Sequence, residues 1–297
     1  MSTDRLILWE TFVRVIETGS FSAVARERGT SQPRVSKQIA ALEAQLGVRL
    51  LRRSTRKLSM TEEGERLYVE ARRIVEEVRE VESQLKRAGE PQGTLRIACP
   101  PVFAGRKLLP LAAEFMHQYP QLALEFSVHD RFVDLVEDGI DVAIRIGKIA
   151  DSGLHAKRIG TARRICVASP RYLQERGTPK TPAELRSHHC ILYTSLATGT
   201  TWPFEEMPAK VAGRVRGNSP EVIITMAIGG MGIAMAPEFL FSDALASGEL
   251  RQILQTSPVP ALPINALYLA RRYVPMRVRS FLEYVVRAFA EDDQLRI

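Results

Sequence analysis

The sequence contains no hydrophobic run long enough to cross a membrane, and it has very few cysteines. A spanning helix needs about 20 consecutive apolar residues, and no stretch of this chain approaches that length. The N-terminal segment carries the acidic Asp4 where a signal peptide would be basic, so we expect no export signal. The three cysteines, Cys99, Cys166 and Cys190, form no CxxC pair, as is usual in a reducing compartment. These absences predict a cytoplasmic protein with buried thiols and no membrane partner.

The chain also lacks the motifs that would mark a catalytic or metal site. It has no zinc-protease, serine-hydrolase or phosphate-loop motif, and the glycines of residues 229–232 do not have dinucleotide-binding spacing. The five histidines are scattered, and the neighbours His188 and His189 would point apart in a helix or a strand. We therefore predict no catalytic residue, no metal ion and no cofactor. Cys99 ends a predicted strand, which leaves a redox role open beside the simpler interpretation of a buried thiol.

What the sequence does have is an ordinary globular composition with an uneven distribution of charge. At 297 residues, with 45% hydrophobic and 25% charged residues, the chain has room for about two domains. Its net charge is +7, and residues 1–61 carry 11 basic and 5 acidic side chains. Residues 62–92 carry 6 basic and 9 acidic side chains, which leaves a net charge of +4 beyond them. The most basic fifth of the chain is its beginning, which favours a polyanionic partner there.

Three short helices are predicted in the first 46 residues. Apolar residues from Trp9 to Ile16 recur at helical spacing, and a second helix fits residues 22–28. Ser31 is an N-cap candidate for the third helix, and Pro33 is tolerated in its first turn. The apolar residues from Val35 to Leu46 share one face of this third helix, which predicts that this face packs against the other two.

The turn before the third helix and the basic segment after it are typical of a winged helix-turn-helix. Such a helix enters the major groove of DNA with its N-terminus first, which would bring Gln32, Ser36 and Lys37 to base edges. Residues 50–58 hold four cations between apolar flanks, which predicts a two-stranded wing facing phosphates or the minor groove. A helical subdomain with no DNA-binding role is the alternative. The predicted DNA-contacting residues are Ser31, Gln32, Pro33, Arg34, Ser36, Lys37, Arg52, Arg53, Thr55, Arg56 and Lys57.

A long amphipathic helix is predicted after the wing. Thr61 is its N-cap candidate, and acidic residues follow in the first turn, where they complement the helix dipole. Apolar residues then alternate spacings of four and three, as in a coiled-coil seam. The seam consists of Leu67, Ala71, Ile74, Val78, Val81 and Leu85. We predict that it pairs two copies of the chain, the alternative being a helix that packs on its own domain.

From Gly93 onward, predicted strands alternate with predicted helices, which indicates an α/β domain of two lobes with crossovers near 162 and 266. The predicted strands cover residues 95–99, 122–128, 140–146, 165–169, 190–193, 232–236 and 265–270. The predicted helices cover residues 104–117, 132–137, 221–228 and 276–290, with one more opened by a capping box at Thr181 and Glu184. Ligands of such domains bind beyond the carboxyl ends of strands. The candidate positions are residues 100–102, 129–131, 145–147, 194–198 and 218–220. Within them the named candidate ligand-binding residues are Pro100, Pro101, Val102, His129, Arg131, Arg145, Thr194, Ser195, Asn218 and Ser219.

Several runs of residues carry a family resemblance. They are Gly19-Ser20-Phe21-Ser22-Ala23-Val24-Ala25, Ser31-Gln32-Pro33-Arg34-Val35-Ser36-Lys37-Gln38-Ile39, Leu50-Leu51-Arg52-Arg53-Ser54-Thr55-Arg56, Asp141-Val142-Ala143-Ile144-Arg145-Ile146-Gly147 and Gly230-Met231-Gly232-Ile233. Together they resemble the LysR-type transcriptional regulators, whose effector domain is similar to periplasmic binding proteins. The segment that holds Trp202 resembles one branch of the family, which adds Trp202 to the candidate ligand-binding residues; a packed aromatic loop is its alternative.

The resemblance implies an α/β protein with three parts. These are a winged helix-turn-helix at residues 1–61, a linker and dimerisation helix at residues 62–92, and an effector-binding domain at residues 93–297. Lobe I of that domain would cover about 93–162 and 266–297, and lobe II about 163–265. The implied function is a transcriptional regulator that binds double-stranded promoter DNA as a homodimer or homotetramer under the control of a small molecule. The alternative is a small-molecule-binding protein or enzyme with an N-terminal helical arm for oligomerisation.

Two departures from the family pattern bear on the sites. Lys37 stands where the family often has arginine, and lysine reads guanine less well because it lacks the bidentate fork. Pro100 and Pro101 stand where many members have Ser or Thr, which removes hydroxyl and amide donors for an effector carboxylate. A carboxylate effector would then depend on Arg145, Arg131, His129, Thr194 or Ser195, and the change favours a less polar ligand. We expect the effector to be a carboxylate or an aromatic metabolite. Arg145 as a structural ion-pair partner is the alternative.

Overall fold

The computed structural model describes residues 3–53, 58–85, 90–131, 133–149, 153–196, 198–269 and 274–296. The chain divides into two units. The N-terminal unit contains residues 1–90 together with 134–140, and the C-terminal unit contains residues 91–133 and 141–297. The first is helical with a small β-hairpin and the second is built on one large mixed sheet, which confirms the predicted fold class.

The described residues of the N-terminal unit form four helices and one hairpin. In chain order they are α1 (Thr3–Thr18), α2 (Phe21–Glu27), α3 (Gln32–Leu46), β1 (Leu51–Arg53), β2 (Leu58–Met60) and α4 (Glu62–Leu85). Local signals set their limits: Ser20 Oγ accepts from the Ala23 N–H at 3.2 Å to cap α2, and Thr61 Oγ1 accepts from the Gly64 N–H at 3.0 Å to cap α4. Gly47, with a φ of 72°, ends α3 in the left-handed region.

The core of the N-terminal unit is apolar and draws on every helix. Val35, Ile39 and Leu42 of α3 are buried, which confirms the predicted inward face of this helix. They pack with residues of α1, α2 and the start of the wing, namely Leu8, Phe12, Val15, Val24, Ala25, Leu50 and Leu51. Burial of one stripe of α3 leaves its other face available to a partner.

The C-terminal unit is an α/β domain around a nine-stranded sheet. The strands of the whole unit, inside and outside this sheet, are β3 (Gly93–Cys99), β4 (Leu122–Val128), β5 (Val142–Ile146), β6 (His155–Ala168), β7 (His189–Tyr193), β8 (Thr201–Trp202), β9 (Ala209–Lys210), β10 (Ala212–Gly217), β11 (Ile233–Pro237), β12 (Arg251–Ile253) and β13 (Val259–Tyr268). The sheet order is β10-β7-β11-β6-β13-β5-β3-β4, with β12 paired to β6, while β8 and β9 form a separate hairpin. The long strands β6 and β13 are antiparallel, with Ala162 opposite Leu262, and join the two halves of the sheet.

Helices cover the sheet of the C-terminal unit. They are α5 (Pro101–Phe103), α6 (Leu109–Gln118), α7 (Pro170–Arg176), α8 (Pro220–Ile228), α9 (Ser242–Ala246) and α10 (Met276–Glu291). A π-helical turn, Ala104–Leu108, makes α5 and α6 continuous. The ring of Phe103 packs edge-on against Phe239 and Phe289, with centroids 5.7 and 5.8 Å away. This aromatic group places the end of α5 in the main core.

One of the predicted helices is wrong, and a second is present but differs in type and capping. Residues 135–139 form turns rather than part of a helix over 132–137, because Asp134 Oδ1 accepts from the Val136 and Glu137 N–H groups and Gly139 then turns with a φ of 62°; Phe132 itself lies outside the described residues. Residues 182–187 form a 3₁₀ helix instead of an α-helix with a capping box. There the Glu184 carboxylate accepts from the Lys180 N–H at 3.0 Å instead of from the Thr181 N–H.

Other elements were not predicted from the sequence. These are α7, α9, β8, β9, β10 and β12, and the starts of β6 and β13. Within the described ranges, no helix combines the length and the apolar character that crossing a bilayer requires.

Candidate functional site

The exposed face of α3 carries most of the predicted DNA-contacting residues. Ser31, Gln32, Pro33, Arg34 and Lys37 are exposed, and Ser36 is half-buried at the border of the face. We call these six residues the α3 face. Ser31 stands at the N-cap of α3, and its backbone oxygen accepts from the N–H groups of Arg34 and Val35. The helix therefore presents its N-terminal turns, with two cations and one amide, to the outside of the unit.

The wing is a two-stranded antiparallel hairpin, as predicted. Leu51 pairs with Met60 and is buried, whereas its neighbour Arg52 pairs with Ser59 and is exposed. The alternation of a strand thus puts Arg52 on the outer face. Of the other predicted wing residues, Thr55, Arg56 and Lys57 lie outside the described residues, as does the side chain of Arg53.

Glu43 connects α3 to the wing, and sequence reasoning missed it. Its carboxylate is buried, and Oε1 accepts from the Leu50 N–H at 2.9 Å and the Leu51 N–H at 3.2 Å. Oε2 accepts from Arg49 at 3.0 Å. A carboxylate that bonds two backbone donors of the next segment fixes the angle at which β1 leaves α3. The available signal was an acidic residue on the inward face of a helix.

The predicted seam of α4 is buried to different degrees along its length. Ala71 is fully buried, and Ile74 and Val78 are half-buried. Leu67 packs against the core of the N-terminal unit, so the beginning of the seam is in contact with its own chain. The side chains of Val81 and Leu85 lie outside the described residues.

A cavity of about 220 Å³ lies in the C-terminal unit, at the carboxyl ends of β3, β5, β7 and β11. Five of its lining residues are polar or charged: Asp130, Arg145, Lys148, Tyr193 and Ser195. The others are apolar: Pro100, Val102, Phe103, Ile146, Ile149, Leu196, Pro220, Pro237, Phe239 and Leu240. The cavity is therefore an apolar space with a few polar groups, which is the usual character of a small-molecule site.

Four of the predicted ligand-binding residues line this cavity, namely Pro100, Val102, Arg145 and Ser195. The residues that do not appear in its wall are Pro101, His129, Arg131, Thr194, Trp202, Asn218 and Ser219. Thr194 Oγ1 donates instead to the Gly217 oxygen at 3.1 Å, which ties β7 to β10. Trp202 is 2% exposed within a second core cluster, which favours the packed aromatic alternative.

Several cavity residues were missed by sequence reasoning. Asp130 falls within the candidate range 129–131 but is not among the named candidate residues, and Tyr193 is the last residue of β7. Phe239 and Leu240 follow the end of β11, and ligands of such sheets bind beyond strand ends, so the position of this strand is the signal that points to them.

The charges at the cavity are of mixed sign. Arg145 is largely buried, burial lowers its pKa, and its Nη2 donates to the Arg131 backbone oxygen at 2.6 Å. Burial raises the pKa of Asp130, as does the nearby Glu221, while Arg145 acts in the opposite direction. Lys148 adds a second, exposed cation. The lining thus has one more positive than negative group.

Cys99 lies close to this region at the end of β3. It is fully buried, and its burial raises the pKa of its thiol to about 11. The thiol is therefore protonated at neutral pH, whereas a reactive cysteine must be present as the thiolate. Over the ranges that the structure describes, no group of three or more His, Cys, Asp or Glu side chains is arranged to hold a metal ion.

Comparison with known proteins covers both units. A family model described as "Bacterial regulatory helix-turn-helix protein, lysR family" matches residues 6–65, and one described as "LysR substrate binding domain" matches residues 88–290. The regulator CrgA of Neisseria meningitidis serogroup C (strain 8013) is 36% identical over 93% of this chain and 94% of its own length. The regulator PtxR of Pseudomonas aeruginosa is 36% identical over 92% of this chain and 89% of its own length.

A solved structure of CrgA from Neisseria meningitidis matches with a TM-score of 0.59 and 33% identity, covering 97% of this chain and 99% of that one. Fold, helix-turn-helix and cavity-bearing domain agree with this family. The chain belongs to the LysR-type transcriptional regulators, which are not enzymes but DNA-binding proteins with a domain that binds a small-molecule effector.

Proposed function

We propose that this regulator reads operator DNA with the α3 face and holds the phosphate backbone with the wing. The observation that carries the proposal is the division of α3 into two faces. Val35, Ile39 and Leu42 are buried in the core, while Lys37 lies on the opposite side of the helix and Gln32 is exposed in its first turn. Gln can pair with adenine and Lys with guanine acceptors in the major groove, and the cation of Arg52 suits a phosphate.

We propose that two copies pair through α4 beyond its first turns, and that two dimers form a tetramer. Leu67 contacts the core of its own unit, which leaves the half-buried Ile74 and Val78 as the apolar surface for a second copy. Pairing would present two α3 faces to two half-sites of the operator. Such a regulator would act in the cytoplasm, where bacterial DNA lies. Light scattering of the full-length protein tests the assembly.

We propose that the effector is a small carboxylate with an apolar body, aromatic or aliphatic. An apolar cavity of about 150 Å³ holds a benzene ring, so about 220 Å³ accommodates a ring with a short substituent. Ten apolar residues would cover the body of such a molecule, and Arg145 and Lys148 lie in the same wall to receive its charge. Two prolines at positions 100 and 101 leave this cationic pair as the main partner for an acid.

Selection of binding sites from a random duplex library tests the DNA-binding part. The full-length protein should enrich one sequence, and Lys37→Ala should weaken binding to that duplex by about 1–3 kcal/mol and relax the preference at one position. Lys210→Ala is a matched control, because Lys210 is an exposed lysine on β9 of the other unit. Equal behaviour of the two variants would contradict reading by the α3 face.

A thermal-shift screen of the full-length protein tests the effector part. Small aromatic and aliphatic carboxylates are compared with their own amides, and at one hundred times its Kd a true effector should stabilise the protein by about 2.7 kcal/mol. We expect shifts from acids but not from amides, and loss of those shifts in Arg145→Gln. Equal shifts from an acid and its amide would contradict a carboxylate effector and indicate an apolar one.

A further inference from the structure

A buried hydroxyl lies where α1, α2 and α3 meet. Thr11 of α1 has no exposed surface. Arg28, the residue after α2, donates from Nη1 to Thr11 Oγ1 at 2.9 Å, and Thr11 Oγ1 lies 3.3 Å from Gln38 Oε1 in the middle of α3. One side chain therefore contacts polar groups from both helices of the helix-turn-helix. We call Thr11, Arg28 and Gln38 the Thr11 network.

The hydrogen bonds of this network depend on direction, whereas the apolar contacts of the surrounding core do not. The Thr11 hydroxyl has a single proton, which it donates either to the Ile7 oxygen at 2.8 Å or to Gln38. It accepts the bond from Arg28, which also pairs with Glu10 of α1 at 3.4 Å. Apolar packing tolerates small rotations of a helix, but a hydrogen bond weakens steeply when its angle changes.

The position of Gln38 on α3 makes the network sensitive to rotation. At 100° per residue, Gln38 falls on the border between the buried stripe and the exposed face, one turn after Arg34. Gln38 is half-buried, in agreement with that position. When a helix rotates about its axis, a side chain at the border of the buried face moves toward or away from its partner, whereas one at the centre of that face mainly moves sideways. A hydrogen bond at the border therefore opposes rotation more strongly. Rotation of α3 would move the tips of Lys37 and Gln32 across the bases.

We propose that the Thr11 network sets the rotation of α3 and that its members are positioning residues for sequence discrimination. The proposal rests on the proposed function, because it requires the α3 face to read DNA. Thr11 acts only through Arg28 and Gln38, since its fully buried side chain has no surface with which to touch DNA. Its removal should therefore affect the choice between DNA sequences more than it affects binding to DNA in general.

The substitution Thr11→Val tests this, because valine keeps the branched shape of threonine and lacks the hydroxyl. The probes are the duplex enriched by the wild-type full-length protein and a shuffled duplex of the same composition, both titrated at one salt concentration. We expect the ratio of the two affinities to fall about tenfold. Affinity for the shuffled duplex should stay within about a factor of two, and Thr11→Ser should restore most of the ratio.

Thr18→Val is the matched control. Thr18 lies on the same helix, and its Oγ1 also donates to the backbone oxygen four residues earlier, that of Arg14, at 2.8 Å. Its other contacts are with the backbone of Ser20 in the turn before α2, and within the described part of the chain it makes no hydrogen bond to α3. Thr18→Val should keep the affinity ratio of the wild type.

The outcomes are distinct. An unchanged ratio in Thr11→Val, or an equal fall in Thr18→Val, overturns the positioning role. If Thr11→Val does not fold, as judged by circular dichroism, Arg28→Met is titrated in its place, and the same two results decide. If the wild type shows no preference between the duplexes, the proposed DNA reading fails and the positioning role falls with it.

Discussion

The two binding regions of this regulator are assembled in opposite ways. The α3 face consists of residues from one helix turn and the next, between Ser31 and Lys37, and it lies outside the core. The cavity draws its wall from segments between Pro100 and Leu240, and some of its residues, such as Phe103, belong to the main core. One site is contiguous in sequence and superficial, while the other is formed only when the sheet is complete.

This difference explains what each region tolerates. An exposed residue of the α3 face can change without disturbing packing, because its side chain lies outside the core. A cavity residue that also packs in the core cannot change without altering stability, because the interior is close-packed. Evolution of DNA specificity and evolution of effector specificity are therefore under different constraints.

The largest expected effect is a loss of stability when a cavity residue of the core is truncated. If this loss is not observed, the contrast between the two regions is wrong. Phe103→Ala should lower the free energy of unfolding by about 3–5 kcal/mol, because it removes a buried ring that contacts Phe239 and Phe289. Denaturant unfolding of the full-length protein measures it. Lys37→Ala should change this stability by less than about 0.5 kcal/mol. A small effect of Phe103→Ala would mean that the cavity wall is independent of the core.

The next largest effect is a loss of stability when Glu43 is substituted. This residue is buried, although it supports the DNA-binding region. Glu43→Ala should destabilise the N-terminal unit by about 2–3 kcal/mol, because the Leu50 and Leu51 N–H groups lose their acceptor. Glu43→Gln keeps an acceptor oxygen and should recover most of this loss, and the exposed Glu63→Ala serves as control. Thermal unfolding followed by circular dichroism decides; equal losses in the Ala and Gln variants would show that charge, not the acceptor, matters.

Arg52 sharpens the comparison within the DNA-binding region. Arg52→Ala should weaken binding to the enriched and the shuffled duplex alike and reduce the salt slope of affinity by about one, because an exposed wing cation contacts phosphate rather than bases. Arg214→Ala, an exposed arginine on β10, should leave both quantities unchanged. Loss of sequence preference in Arg52→Ala would instead assign the wing to base reading.

The smallest effect concerns the charge of the cavity. Burial and Glu221 raise the pKa of Asp130, so this carboxyl gains its proton at a higher pH than usual. A carboxylate effector should bind more tightly as pH falls through this raised pKa, because repulsion by the Asp130 charge is lost. Since Asp130 is exposed, the gain should stay below about 1 kcal/mol.

Calorimetric titration of the screened effector against pH measures this dependence, and Asp130→Asn should flatten it. A dependence that persists unchanged in Asp130→Asn would show that the Asp130 carboxyl is not its source.

How much the sequence could predict follows the same division. Periodicity and capping residues predicted α1 to α4, the wing and most central strands, because these signals are local. The family resemblance also pointed to regulation, and membership of the LysR family excludes the alternative of an enzyme with an oligomerisation arm. The ends of strands also predicted part of the cavity wall, including four individually named residues.

The remainder depends on contacts between distant segments. Thr11 and Glu43 look like ordinary helix residues until Arg28, Gln38 and the backbone of β1 are brought beside them. Trp202 was placed at the ligand site by resemblance, whereas its burial depends on packing that no local pattern reveals. Likewise, β10 is an edge strand whose partner β7 lies some twenty residues earlier in the chain. The alternation of polar and apolar residues along β10 is therefore only a weak indication of a strand.

Hydrogen exchange of the full-length protein, with and without the enriched duplex, tests most directly that DNA is read by the α3 face while the cavity serves another ligand. We expect DNA to slow exchange at residues 32–37 and 51–53, and to leave residues 100–103 and 145–149 unchanged. If DNA slows exchange at the cavity segments and leaves exchange at residues 32–37 unchanged, reading by the α3 face is contradicted.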